Sequence, residues 1–310
     1  MRAGMVVVAV ASATAFAPVA QAAMVEAAHL RGGQGVRSWF DAYSGERNQV
    51  RLEMSGDSDT YQDPGAVLLT PLHESELEPG SIPNVFDLTL DRCTYLGVSA
   101  TCTRSPSVGP DVRLKDGDDT IDIQAAAGQP AAFVDGGPGA DVARSTGPIF
   151  FTGGTGGDRL EPGPGRVFEY DEQPPVDMQI DLDGIADDGA PGEGDNVLPG
   201  VELRVFVAGN HTITGHAGAD HLHSAAGNQT IHGLAGDDFL SGGGHDDVLH
   251  GGPGQDRLFG GIGDDTIHAQ DGEVDEIFCD FGADVAYVDS QDVVLHPDDD
   301  IFGCETVIVG

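Results

Sequence analysis

Aspartate recurs at a nine-residue spacing between residues 205 and 290, at a fixed distance from a large aliphatic residue. The aliphatic positions are Ile213, Leu222, Ile231, Leu240, Leu249, Leu258 and Ile267. The residues two positions before them are His211, Asp220, Gln229, Asp238, Asp247, Asp256 and Asp265. Ca²⁺ accepts about six to eight oxygen ligands in flexible geometry, whereas Mg²⁺ demands a tighter octahedron and retains its waters. The pattern therefore predicts a row of Ca²⁺ sites.

Glycine marks the turns that must hold these aspartates. The residues four positions before the aliphatic ones are Gly209, Gly218, Gly227, Gly236, His245, Gly254 and Gly263. Because glycine adopts the positive φ of a tight turn without strain, each repeat is predicted as a turn followed by a short strand whose aliphatic side chain points inward. Nine residues form half a coil, so eighteen residues close one coil. The predicted fold class is all-β: a parallel β-roll or β-solenoid, preceded by a small β-rich N-terminal domain.

Stacking places each turn against the turn two repeats later, about 4.8 Å away. On one edge the predicted ligand pairs are Asp220 with Asp238, Asp238 with Asp256, and Asp256 with Asp275. On the other edge they are Asp247 with Asp265, and Asp265 with Asp284. Carbonyl oxygens of turn glycines, among them Gly236, Gly254 and Gly263, complete the predicted metal ligands. The alternative is that these aspartates only cap turns.

A weaker form of the pattern occurs earlier in the chain. Copies around Asp119, Asp141 and Asp158 predict two further pairs, Asp119 with Asp141 and Asp141 with Asp158. The predicted organisation is a signal peptide (1–22), a small β-rich domain (23–112), degenerate repeats (113–165), an insertion (166–204), the main β-roll (205–290) and a C-terminal cap (291–310).

Two copies, 251–259 and 260–268, match Gly-Gly-x-Gly-x-Asp-x-U-x at every defined position, where U is a large aliphatic residue. On these repeats the chain resembles exported bacterial calcium-binding proteins with haemolysin-type (RTX) repeats. The segment 181–197 and the ending from Asp271 to Glu305 are also similar to segments of that group. The resemblance implies a β-roll, Ca²⁺ ligation and an extracellular location, but no defined substrate. The chain departs from the pattern at His211, Gln229 and His245, which puts sites at those repeats in doubt.

The charge of the chain points to cations as partners. It contains 52 Asp and Glu residues against 14 Lys and Arg residues, and its formal charge is −38. Such a field disfavours nucleic acid and anionic membrane surfaces, and it repels itself in a compact state unless counter-ions are present. Calcium ions are therefore the predicted partners, with neither nucleic-acid binding nor membrane insertion, and a cell-envelope or matrix partner stays open.

The N-terminus predicts export. A basic Arg2, an apolar run and the triplet Ala20-Gln21-Ala22 have the form of a secretory signal peptide, with cleavage expected before Ala23. Four cysteines in an exported chain predict two disulfides among three possible connectivities. The favoured pairs are Cys93 with Cys102 and Cys279 with Cys304.

We expect no enzymatic activity. The segment His73-Glu74-Ser75-Glu76-Leu77 begins like a zinc-protease motif but lacks the second histidine, and the chain contains no Gly-x-Ser-x-Gly motif. The alternatives left open are a secreted hydrolase and a surface adhesin, either of which would use the repeats as a calcium-stabilised module.

A second periodic feature is a row of histidines. His232, His250 and His268 are eighteen residues apart and each follows an inward aliphatic residue. They are predicted to stack outward on one sheet, where they would form a solvated polar column or bind Zn²⁺ or Ni²⁺.

Overall fold

The structure is a computed structural model that describes residues 24–29, 36–41, 49–55, 58–62, 93–96, 99–103, 109–161, 163, 165–170, 175–295 and 303–310. The predicted signal peptide lies outside these residues. All regular structure within the described part is β-strand, as the sequence predicts. No helix in that part is long and apolar enough to cross a bilayer.

The strands, in chain order, are β1 (Met24–His29), β2 (Val36–Asp41), β3 (Gln49–Ser55), β4 (Ser58–Gln62), β5 (Cys93–Leu96), β6 (Ser99–Thr103), β7 (Asp111–Arg113), β8 (Thr120–Ala125), β9 (Ala132–Asp135), β10 (Val142–Ser145), β11 (Ile149–Thr152), β12 (Arg159–Leu160), β13 (Arg166–Tyr170), β14 (Gln179–Asp181), β15 (Glu202–Val205), β16 (Thr212–Thr214), β17 (His221–Ser224), β18 (Thr230–His232), β19 (Phe239–Gly244), β20 (Val248–His250), β21 (Arg257–Ile262), β22 (Thr266–His268), β23 (Glu276–Phe281), β24 (Val285–Val288), β25 (Val293–Val294) and β26 (Thr306–Val309).

From β7 onward the chain alternates between two faces of a β-solenoid. The odd-numbered strands join in sequence order into one twelve-stranded sheet, the long sheet, whose first two strands are β1 and β2. The even-numbered strands form the opposite face in two sheets, one ending at β12 and the other beginning at β14. Neighbouring strands of the solenoid are parallel, and their register follows the repeat: Leu222 lies opposite Leu240, and Leu240 opposite Leu258. The predicted eighteen-residue coil is confirmed in this part of the chain.

Aliphatic side chains from both faces fill the interior. Leu222, Ile231, Leu240 and Leu249 are each 0% exposed, and the residues flanking them in the strands are at least partly exposed. Since side chains alternate along a strand, one inward aliphatic residue per half-coil is enough to build a continuous core. The core therefore fixes the register of the turns that carry the aspartates.

Two strands of the N-terminal region continue the solenoid. β2 pairs in parallel with β7, and β3 pairs in parallel with β8, which adds strands to both faces ahead of the first repeat. β4 and β6 then extend the β3 edge as antiparallel strands, followed by β5. The β-rich character predicted for this region is present in its described strands.

The segment 166–204, predicted as an insertion, also carries solenoid strands. β13 and β15 pair with each other in the long sheet, and β14 begins the second sheet of the opposite face. Their inward residues Phe168, Ile180 and Leu203 are at most 1% exposed. The part that leaves the regular coil is therefore shorter than predicted: it is the loop of residues 182–201 between β14 and β15.

One disulfide closes the C-terminal end. Cys279 in β23 and Cys304, both buried, are bonded with their Cα atoms 5.2 Å apart. The predicted second pair has its backbone in place, because Cys93 lies opposite Cys102 in the antiparallel pair of β5 and β6. The side chains of that pair lie outside the described residues.

Candidate metal sites

Aspartates of successive coils stack along the turns that enter the long sheet. The backbone N–H of Asp220 donates to Oδ1 of Asp238 at 2.8 Å, that of Asp238 to Oδ1 of Asp256 at 2.9 Å, and that of Asp256 to Oδ1 of Asp275 at 2.8 Å. We call these four residues the long-sheet ladder. The structure thus brings together every pair predicted on this edge.

The turns that enter the opposite face carry two more ladders. The opposite-face ladder consists of Asp247, Asp265 and Asp284, joined by N–H to Oδ1 bonds of 2.8 Å each. The early ladder consists of Asp119, Asp141 and Asp158, joined in the same way at 2.7 and 2.8 Å. One geometry therefore serves the perfect repeats and the degenerate ones alike.

Eight of the ladder carboxylates keep one oxygen for a further partner. Oδ1 accepts the backbone bond, while Oδ2 is buried without a hydrogen-bond partner in Asp141, Asp158, Asp238, Asp247, Asp256, Asp265, Asp275 and Asp284. These side chains belong to residues that are at most 3% exposed. An ionised carboxylate buried in this way costs several kcal/mol unless it is paired or bound to a metal. The ladders therefore require either cations or protons.

The pKa values of the ladder residues also indicate that the ladders require cations or protons. Burial, opposed by the backbone hydrogen bond and reinforced by neighbouring carboxylates, raises the pKa of Asp256, Asp265 and Asp275 to about 7. The same causes raise the pKa of Asp158 and Asp247 to about 8. A divalent cation would stabilise the ionised form of these groups, which burial disfavours.

The first glycine of each repeat leaves the space into which these oxygens point. A Cβ added to Gly233 would lie 2.4 Å from Oδ2 of Asp238 and 2.6 Å from the carbonyl oxygen of Gly251 in the next turn. A carboxylate oxygen and a carbonyl oxygen of successive turns thus converge beside a residue that has no side chain. Such an arrangement of hard oxygen donors suits Ca²⁺.

The three glycines predicted as carbonyl ligands have a steric role that the structure shows directly. Gly236, Gly254 and Gly263 have φ values of 133°, 151° and 145°. A Cβ at Gly254 would lie 1.8 Å from the carbonyl oxygen of Gly236, so only glycine lets the turns stack this closely. Ligation by their carbonyl oxygens stays a prediction.

The first turn of the long-sheet ladder differs from the others. The carboxylate of Asp220 accepts a 2.6 Å bond from the backbone N–H of His216, and its Oδ1 lies 2.6 Å from Nδ1 of the same residue. Burial raises the pKa of Asp220, and His216 opposes that shift. Both carboxylate oxygens of Asp220 therefore already have a partner, so this end of the ladder is built differently from its interior.

Three further acidic residues extend the ladders, and the sequence reasoning missed them. Oδ1 of Asp195 accepts the N–H of Asp158 at 2.8 Å, Oδ1 of Asp292 accepts that of Asp275 at 3.2 Å, and Oε2 of Glu305 accepts that of Asp284 at 2.6 Å. Their separations from the preceding ladder residue are 37, 17 and 21 residues. None of these separations equals the eighteen-residue period, so these residues are identified from the stacked turns of the structure and not from the repeat pattern.

The departures from the motif are accommodated without carboxylates. The N–H of His211 donates to Oε1 of Gln229 at 2.9 Å, and the N–H of Gln229 donates to Oδ1 of Asp247 at 2.7 Å. The Gln229 amide nitrogen in turn donates to the carbonyl oxygens of Gly209 and Ala226. This turn satisfies its own polar groups, which agrees with the doubt that the sequence places on a metal site there.

The predicted histidine column lies on the opposite face. The rings of His232 and His250 are 4.6 Å apart and 12° from parallel, those of His250 and His268 are 4.4 Å apart and 7° from parallel, and Tyr287 continues the stack. Because the nitrogen lone pairs lie in the ring planes, parallel rings do not point two nitrogens at one ion. The geometry is that of an aromatic stack rather than of a chelating site.

Comparison with known families agrees with this geometry. The family model of the RTX calcium-binding nonapeptide repeat (4 copies) matches residues 208–228, 223–258 and 250–273. A search of the curated proteins gave no match. The matched segments contain Asp220, Asp238, Asp247, Asp256 and Asp265. Residues 208–273 of the chain thus carry haemolysin-type RTX calcium-binding repeats, in phase along a parallel β-solenoid.

Proposed function

We propose that the solenoid holds Ca²⁺ between stacked turns, and that these ions are what allow its buried aspartates to be ionised in the folded state. The observation that carries the proposal is the series of buried Oδ2 atoms without a hydrogen-bond partner, repeated at every interior rung of three ladders. The RTX repeat family supplies the identity of the ion.

The residues that would hold the ions are the successive pairs of the three ladders, with carbonyl oxygens of the turn glycines. Two carboxylates and several carbonyl oxygens per site fit the flexible, oxygen-only coordination of Ca²⁺. Each bound ion would neutralise the charge of two neighbouring rungs and so offset the burial and the mutual repulsion that raise their pKa values.

We further propose that calcium decides whether the roll is folded. At about 1 mM Ca²⁺ and a dissociation constant of roughly 10⁻⁴ to 10⁻³ M, one site stabilises the fold by about 0.4 to 1.4 kcal/mol. Five such sites, one for each predicted pair in 205–290, contribute about 2 to 7 kcal/mol, which is comparable with the net stability of a whole domain. The chain would then order itself only where calcium is abundant.

The proposal extends to an exported, non-catalytic protein. Export is supported by the signal-peptide pattern of residues 1–22 and by the RTX repeats. A structural role is supported by the ladders, which repeat one arrangement of carboxylates along the solenoid instead of concentrating reactive groups at one place.

Circular dichroism of the full chain in excess EDTA, with Ca²⁺ then added back, tests the coupling. The β-sheet signal should be lost on chelation and return with Ca²⁺ at millimolar concentration, whereas the same concentration of Mg²⁺ should restore much less of it. A spectrum that is unchanged in EDTA, while atomic emission shows that the protein is free of calcium, would refute calcium-dependent folding.

A further inference from the structure

Five aspartates of the chain are followed directly by glycine: Asp116, Asp135, Asp183, Asp188 and Asp271. At such a pair the chain can react with itself, because glycine has no side chain to shield its backbone nitrogen from the carboxyl carbon of the aspartate. The reaction requires a glycine N–H without a hydrogen bond and a carboxyl group that lies close to it. All five pairs lie within the described residues, so their surroundings can be compared.

In four of the pairs the glycine nitrogen is already engaged. Its N–H donates to the carbonyl oxygen of Pro138 from Gly117, of Thr152 from Gly136 and of Gln179 from Gly189, and to Oδ2 of Asp289 from Gly272, over distances of 2.8, 2.9, 3.1 and 2.6 Å. Attack by any of these nitrogens would first have to break the hydrogen bond, which opposes the reaction.

The pair Asp183–Gly184, at the start of the loop 182–201, is the exception. Within the described part of the chain, the N–H of Gly184 has no hydrogen-bond acceptor, and Asp183 is exposed. Oδ1 of Asp183 accepts the N–H of Ile185 at 2.7 Å, so the carboxyl group is folded back along the backbone past Gly184. The free nitrogen and the carboxyl carbon are therefore held on the same side of one turn.

The pair Asp188–Gly189 in the same loop shows the opposite arrangement. Asp188 is 1% exposed, and its two carboxylate oxygens accept the N–H groups of Asp181 and Val197. The N–H of Gly189 is bonded as well. One loop thus contains the same dipeptide once with both reacting groups engaged and once with the nitrogen free.

The carboxyl group of Asp183 also needs a proton, because its oxygen must leave as water. Carboxylate oxygens of Asp181, Asp183 and Asp187 lie within 4.8 Å of one another. Burial, and then the neighbouring carboxyl group of Asp183, raise the pKa of Asp181. Asp181 is therefore a nearby source of that proton.

We propose that Asp183–Gly184 is a site of spontaneous isoaspartate formation in the folded chain. The nitrogen of Gly184 bonds to Cγ of Asp183, and the hydroxyl of the protonated carboxyl group leaves as water with the proton of that nitrogen. Water then opens the cyclic imide. Addition at Cγ restores aspartate, whereas addition at the main-chain carbonyl carbon leaves the chain linked through Cγ. The inference does not depend on calcium ligation.

The new linkage adds one carbon to the backbone where the loop is anchored. The Asn196 side-chain amide donates to the carbonyl oxygen of Gly184 at 3.0 Å, and the N–H of Leu182 donates to the carbonyl oxygen of Thr214 at 3.0 Å. Asn196 directly follows Asp195, whose carboxylate accepts the N–H of Asp158 in the early ladder. Modification should therefore loosen the loop beside that ladder.

The test follows the uptake of heavy oxygen from labelled water by the calcium-loaded full chain, with the position read by fragmentation of its peptides. Each passage through the imide places one labelled oxygen on the aspartate. Asp183 should take up label roughly 2- to 10-fold faster than the other four aspartates, since one hydrogen bond must first be broken at each of those. The chain unfolded in denaturant and EDTA should label all five at similar rates. Equal labelling of the five in the folded chain would overturn the proposal, as would an unlabelled Asp183 in the folded chain.

Two variants separate the imide from other routes of exchange. Asp183→Glu keeps the charge but would need a larger ring, so residue 183 should lose its label. Asp187→Glu is the matched control, because residue 187 lies in the same loop and is not followed by glycine, and it should leave the label on Asp183 unchanged. A methyltransferase that esterifies isoaspartyl carboxyl groups should accept the aged wild type better than aged Asp183→Glu. Equal labelling of residue 183 in both variants would contradict a cyclic imide at this place.

Discussion

Two adjacent aspartates of one turn allow a sharp test of the ladders. Asp238 is 3% exposed, its Oδ1 accepts the N–H of Asp220, and its Oδ2 is buried without a partner. Asp237 is exposed, and its Oδ1 accepts the N–H of Gln255 at 3.0 Å. Asp→Asn removes one negative charge from either residue and leaves an oxygen for the backbone bond. Only at Asp238 does it also replace a buried oxygen that has no hydrogen-bond partner.

Asp238 belongs to two sites, one shared with Asp220 and one with Asp256, so Asp238→Asn should weaken both. At about 0.4 to 1.4 kcal/mol per site in millimolar Ca²⁺, the loss is about 1 to 3 kcal/mol. For a chain of this size, each kcal/mol lowers the melting temperature by roughly 2 to 4 °C. Asp237→Asn should be neutral, or slightly stabilising through weaker self-repulsion.

The assay is thermal unfolding of both variants in Ca²⁺, combined with calorimetric titration of Ca²⁺ to compare the number of ions bound. A general electrostatic attraction between Ca²⁺ and an acidic surface predicts equal losses in the two variants. Equal losses would therefore refute the assignment of ligand positions within the repeat.

Three further predictions concern pH, the disulfide and the histidine column. Burial raises the folded-state pKa of ladder residues such as Asp247 above the ordinary value of 3.8, so any calcium-free fold should be most stable near pH 4 and lose stability up to about pH 8. The affinity for Ca²⁺ should rise over the same range, because fewer protons have to be displaced from the carboxylates. Affinities that are equal at pH 4 and pH 8 would contradict this. Cys279→Ser should destabilise the end of the solenoid by about 2 to 4 kcal/mol, measured by denaturant unfolding under non-reducing conditions, and a variant as stable as the wild type would show that the disulfide is dispensable. Burial and the charges of its two stacked neighbours lower the pKa of His250, so the calcium-loaded protein should lose stability as the pH falls below about 6.5. The variant His250→Phe, which keeps the ring stack without the charge, should lose less stability over the same pH range. A pH profile of stability like that of the wild type would argue against repulsion within the column.

The sequence predicts the pairing of ladder residues well because the same nine-residue period sets the positions of both the core residues and the turn residues. A nine-residue period places Leu240 and Leu258 in register, and the same period necessarily stacks Asp238 on Asp256. Spacing along the sequence therefore predicts which residues of different coils are in contact, which is unusual for a β-protein.

The same reasoning fails where the period fails. Phe168, Ile180 and Leu203 point inward like the repeat residues, but their irregular spacing conceals them, and 166–204 therefore resembles an insertion. Asp195 reaches its rung 37 residues after Asp158, because three solenoid strands and part of the loop 182–201 intervene. Only the three-dimensional stacking of turns identifies such residues.

Hydrogen bonds between two side chains of the same turn also cannot be predicted from the repeat pattern. The motif marks Asp220 as a ligand on the same terms as Asp238, yet His216 binds the Asp220 carboxylate in the folded chain. Whether a motif aspartate keeps an unbonded carboxylate oxygen depends on which side chain lies beside it in the turn, and the repeat motif does not specify that side chain.

The central claim, that ions lie between stacked turns, is tested most directly by anomalous diffraction from crystals of the full chain grown with Ca²⁺ and soaked with Tb³⁺. The account predicts peaks between successive rungs of the ladders, in contact with the Oδ2 atoms of residues such as Asp238, Asp256 and Asp265. Peaks confined to exposed acidic side chains, with the space between the turns empty or filled by water, would contradict it.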